Sequence, residues 1–130
     1  FFHMPPAEFK EAYEKMKLGD HSVIYEHGSI GEKDEYFGIS NRPPHFFKKA
    51  VDNGWLKWIF CGHDHLNTLS LTYKGIRMTY GMSIDYLGYS GIAKQYIQRG
   101  ATLITRKTDG NIDITMVPLT TVVSTRVRGA

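Results

Sequence analysis

A chain of 130 residues, 42% hydrophobic and 22% charged, has the composition of one globular domain or part of one, and not of a disordered segment. Its formal net charge is +3 without a run of Lys or Arg longer than two, so nucleic-acid binding is not indicated, whereas a weak positive field suits a phosphate-bearing ligand. A single cysteine excludes an internal disulfide framework, and no apolar stretch approaches the ~20 residues that span a membrane.

The chain begins with Phe1 rather than Met, so we expect its true N-terminus to lie upstream, and localisation is left open. Phe1-Phe2 reads as the last piece of a strand. Pro5-Pro6 ends it and opens a helix over 7–18, because Phe9, Ala12, Tyr13 and Met16 fall at i, i+3, i+4 and i+7. Gly19 is its stop. Residues 19–42 have no sustained period and read as one long loop, a length often tied to function. In it, His27 is a candidate catalytic residue and Asn41 a second group able to approach a phosphate; the plainer reading is a surface His and a turn Asn. A second helix is predicted over 44–53, with Phe46, Phe47, Ala50 and Val51 on its apolar face and His45 in a structural position.

Strands are predicted over 57–61, 67–73 and 76–80, the last two joined by Lys74-Gly75 as a hairpin. Leu69, Leu71 and Tyr73 alternate with Ser70 and Thr72, so one face should be buried. Gly81–Gly91 reads as a flexible aromatic loop, Tyr96–Gln98 as a short extended piece, and 101–106 with 112–117 as a last hairpin across Asp109-Gly110-Asn111. The tail from Thr120 is β-prone, polar and basic. Helices mixed with terminal antiparallel hairpins imply an α/β sandwich with a mixed sheet.

One stretch carries chemistry: Trp58-Ile59-Phe60-Cys61-Gly62-His63-Asp64-His65. An apolar run closed by Gly is a buried strand that stops abruptly, with Cys61 a buried, inert thiol at its end. Two histidines follow at i and i+2, on one side of an extended backbone, where each could serve one of two metal ions. Asp64 projects to the other side; it is read as a solvent residue or as a carboxylate steadying a histidine, a role shared with Asp85, and not as a ligand.

The phrase Gly62-His63-Asp64-His65 resembles the closing Gly-His-x-His motif of the calcineurin-like metallophosphoesterases. Phe1-Phe2-His3-Met4-Pro5 resembles the motif before it, a strand ending in a ligand His. The wording is most similar to the purple acid phosphatase-like branch. The resemblance covers nearly all of 1–130 but only the C-terminal half of that family's four-layer α/β/β/α sandwich. The earlier motifs, Asp-x-His, Gly-Asp and Gly-Asn-His-Asp/Glu, do not precede these two here.

The resemblance implies a metal-dependent phosphoester hydrolase with two divalent or trivalent ions (Fe, Zn or Mn). His3 and His63 would hold one ion and His65 the other. The implied partners are a phosphate ester, the N-terminal half of the same domain, and otherwise further copies of the fragment; the 130-residue chain alone is expected to be inactive. The alternative is a non-catalytic module of the same fold that acts through protein contacts. A small structural zinc protein would need four closed ligands, which this chain lacks.

Overall fold

The computed structural model describes residues 1–40, 45–94 and 98–119. The expected second turn at Asn41–Pro44, most of the extended piece at 96–98 and the tail from Thr120 lie outside them. The chain is mixed α/β and divides into two units, Phe1–Gly81 and Met82–Ala130. No helix among the described residues is long and apolar enough to cross a membrane.

In the first unit, α1 (Ala7–Lys17) starts after Pro6, whose fixed φ suits a helix entry. It ends in a six-residue closure: Gly19 N–H bonds Met16 O and Asp20 N–H bonds Lys15 O, with Gly19 at φ +78°. Gly19-Asp20 is therefore a helix stop. The Asp20 carboxylate accepts the Ser22 N–H and the Lys15 ammonium, and these bonds hold its pKa at about 2. The predicted stripe is the buried face: Phe9 and Ala12 are fully buried, and Tyr13 and Met16 pack beside them.

The expected long loop contains a strand, β1 (Val23–His27), which corrects the reading of 19–42. Of its five residues only Val23 is buried, so no period marks it; pairing with a neighbour creates it. Then come α2 (His45–Asn53), β2 (Trp58–Cys61), β3 (Ser70–Tyr73) and β4 (Ile76–Tyr80), and the sheet order is β1-β3-β4-β2. The β1–β3 and β3–β4 pairs are antiparallel and β2–β4 is parallel, so the sheet is mixed. Leu71, Met78 and Ile59 stand side by side across three strands on the face that carries Tyr73 and Tyr80. Helical side chains meet that face. Phe9 stacks on Tyr80 at 5.0 Å and Phe47 on Tyr73 at 6.4 Å. In α2 the apolar face is narrower than expected: Phe47 and Ala50 are buried, but Phe46 is exposed and meets the edge of Phe2.

Strand β3 begins at Ser70, three residues later than predicted; Thr68 before it bonds Ser29 O through its N–H, and the register with β1 starts only at His27↔Ser70. Ser70 is also buried, against the simple alternation, since its hydroxyl pairs with that of Thr79 at 2.8 Å and accepts Arg77 Nε–H at 3.0 Å. The hairpin is as expected. Lys74 and Gly75 have φ +50° and +76°, the two left-handed positions of a type I′ turn. A Cβ at Gly75 would meet nothing, so Gly75→Val should cost only backbone strain, about 1–2 kcal/mol, read as a lowered urea midpoint. An unchanged midpoint would contradict the turn.

The second unit holds the antiparallel pair β5 (Gly100–Arg106) and β6 (Ile112–Pro118), in register from Gly100↔Pro118 to Arg106↔Ile112. The turn closes through Lys107 N–H to Asn111 O, with Gly110 at φ +86°. Before β5, Arg99 is almost wholly buried. Its Nε–H bonds Asp85 O at 2.7 Å, Nη2–H bonds Ile92 O at 3.1 Å, and its guanidinium lies over the Tyr86 ring. These contacts tie down the aromatic loop at 85–92.

Candidate metal centre

Strand β2 stops at Cys61, whose burial pushes its thiol far above the usual range, as an inert structural thiol requires. Residues 1–3 run beside the end of β2: Phe2 N–H bonds Phe60 O at 2.8 Å, Gly62 N–H bonds His3 O at 3.2 Å, and Phe1 stacks on Phe60 at 5.2 Å. The backbone thereby carries His3 to the turn after β2. There Nε2 of His3 lies 3.0 Å from Nδ1 of His63, with the rings nearly perpendicular at 84°. One nitrogen carries the hydrogen and the other accepts it.

His65 lies two residues on, half-buried in a turn closed by Asn67 N–H to Asp64 O at 3.2 Å. Among the described residues no three His, Cys, Asp or Glu side chains converge to hold an ion. The fit to a cation is therefore partial. Two imidazole nitrogens meet 3.0 Å apart, the type of donor that Zn, Fe and Mn accept, and the rest of a ligand set must come from elsewhere. Bound there, an ion would supply Lewis-acid polarisation and an acidified water.

Asp64 departs most from expectation. It is 4% exposed and not a solvent residue. Its carboxylate accepts the Gly38 N–H at 2.9 and 3.1 Å and the Tyr80 hydroxyl in a short bond. Burial, then the carboxylate, pushes the Tyr80 phenol far up, so Tyr80 remains the donor. Asp85, the other expected carboxylate, lies in the second unit and caps its own turn, accepting N–H groups of Leu87 and Gly88. The stretch 28–40 is bound to the histidine turn by Asn67, fully buried: its Oδ1 accepts Gly31 and Glu32 N–H and its Nδ2–H bonds Tyr36 O. Glu32 accepts Leu66 N–H at 3.1 Å. Sequence reasoning missed Gly38, Asn67 and Tyr80, because nothing local distinguishes them from ordinary loop and strand residues.

His27 is not brought to the pair. It stands in β1, and the register His27↔Ser70↔Thr79↔Phe60 puts three strand spacings, roughly 14 Å, between it and β2. Its Nδ1 lies 3.2 Å from Arg77 Nη2, a donor, so Nε2 carries the ring hydrogen, buried without a hydrogen-bond partner among the described residues. Burial first, then the Arg77 charge, lowers its pKa, with Glu26 opposing. A depressed folded-state pKa means the unfolded chain binds the proton more readily. His27 thus contributes stability that is present above the ordinary imidazole value, about 6.5, and lost as pH falls through the folded value. We expect His27→Gln to flatten the acid side of a urea-midpoint against pH curve relative to wild type; parallel curves would contradict this.

No family model matches the chain, and no solved structure matches it. It is 38% identical over 47 residues to probable inactive purple acid phosphatase 14 of Arabidopsis thaliana. The match takes in 36% of this chain and only 12% of that protein.

Proposed function

We propose that this chain is the C-terminal half of a metallophosphoesterase domain of the purple acid phosphatase-like branch, and that the complete domain hydrolyses phosphate esters at a dinuclear metal site. The observation that carries the reading is the meeting of His3 and His63, 60 residues apart in sequence, at 3.0 Å between ring nitrogens. The partial similarity to a purple acid phosphatase supports the same family. His3 and His63 would hold one ion and His65 the other; bridging carboxylates would come from the N-terminal half. Substrate would be a phosphate ester, bound in part by the metals.

A second reading has its own support, because the similar plant protein is described as probably inactive. The domain would then keep the fold and act through contacts. One assay separates the two. The 130-residue chain, the upstream half and their mixture are incubated with an aryl phosphate and Mn(II) or Zn(II). Turnover is expected only in the mixture, and abolished there by His65→Ala. Turnover by the chain alone would overturn the half-site assignment, and a folded, metal-loaded mixture without turnover would support the contact module.

A further inference from the structure

Gly38 has no left-handed φ, so its lack of a side chain does not serve backbone conformation. It serves space. A Cβ built there would stand 2.1 Å from His63 Cδ2, 2.6 Å from His63 Nε2 and 2.7 Å from Asp64 Oδ1. The Cδ2–Nε2 edge of His63 thus occupies the volume of the missing side chain, and the opposite edge of the ring presents Nδ1 to His3. The same residue fixes the neighbour of His63 through its N–H to both Asp64 oxygens. Asp64 is fixed in turn by Tyr80, held in β4 and stacked on Phe9 at 5.0 Å with Phe37 at 5.9 Å.

We infer that Gly38 is a positioning residue for His63: its bare Cα forms the slot that aims Nδ1 at the ion position, and its bond to Asp64, backed by Tyr80, locks the turn. The inference rests on the reading of His63 as a ligand. It assigns to the stretch 28–40 a part in the metal site that no ligand motif signals. A methyl group at 38 is accommodated only by rotation of the His63 ring or displacement of the turn, since the atoms in its way are that ring and a buried carboxylate held from two sides.

The test uses the 130-residue chain with 15N-labelled imidazoles, free of metal, and then Zn(II) titration by calorimetry. In Gly38→Ala the His63 and His3 ring signals should move while those of His27, three strand spacings away, stay. Zn(II) affinity should fall about tenfold or more, the usual cost of losing support around a ligand. Tyr80→Phe adds no atom and removes one donor to Asp64; it should move the same two signals less, and it decides the matter if Gly38→Ala does not fold. Unmoved His63 signals in the folded variants would overturn the inference. Wild type that binds no Zn(II) would count against the ligand reading, while the ring signals would still decide the positioning role.

Discussion

Ala in place of both His63 and His65 should, on the proposed metal-site reading, leave the complete protein essentially free of metal. On the proposed reading these two imidazoles are the metal donors of the Gly-His-x-His turn, and His3 alone would not compensate, because its nitrogen faces His63 and among the described residues no three acidic, Cys or His groups converge to hold an ion. Divalent ions in catalytic sites are held by three or more protein ligands, so a position reduced to one imidazole binds only in passing. Elemental analysis after gel filtration should find less than about a tenth of the wild-type metal. Retention of full metal content would sink the assignment. The fold should survive, as both side chains lie outside the apolar core, and circular dichroism checks that.

The largest effect on stability should come from Gly28→Ala. Gly28 has φ +80°, and a Cβ there would stand 2.0 Å from the Thr68 carbonyl oxygen and 2.5 Å from its carbon. Both obstacles are backbone, held by Thr68 N–H to Ser29 O at 2.9 Å, so neither can swing aside. Left-handed strain of about 1–2 kcal/mol and an overpacking cost of about 1–3 kcal/mol add to about 2–5 kcal/mol. That is a large share of a typical ~5–15 kcal/mol stability, and for a unit of this size a melting point lower by about 10 °C or more. Gly19→Ala is the control: its φ is +78°, but a Cβ there meets nothing. The close approach predicts a clearly larger loss for Gly28→Ala; equal losses would contradict it.

What the sequence made legible follows from where its signals are local. α1 is announced by Phe9, Ala12, Tyr13 and Met16, the β3–β4 hairpin by Lys74-Gly75, and the last hairpin by Asp109-Gly110-Asn111, each a pattern within a few residues. β1 was hidden because an edge strand with one buried position has no period of its own. The histidine site was half legible in the same sense. His3 and His63 stand in recognisable phrases, but Gly38 and Tyr80 reach Asp64 across 26 and 16 residues, and only the assembled sheet makes those separations short.

The docking of residues 1–3 on β2 has a thermodynamic consequence. Half of the histidine pair stands on a segment held by the Phe2–Phe60 and His3–Gly62 backbone bonds and by ring contacts of Phe1 with Phe60 and Phe2 with Phe46, while the other half stands on the turn after β2. Opening of that docking is the smallest motion that separates the two rings. Any ion shared by the two rings then binds with its intrinsic affinity multiplied by the docked fraction, and each ion bound raises that fraction. Occupancy and local opening become one equilibrium read at two places. The Gly62 amide, whose hydrogen bond ends when His3 leaves, should exchange with solvent more slowly in proportion to the ion held, making a single backbone hydrogen a gauge of the centre beside it.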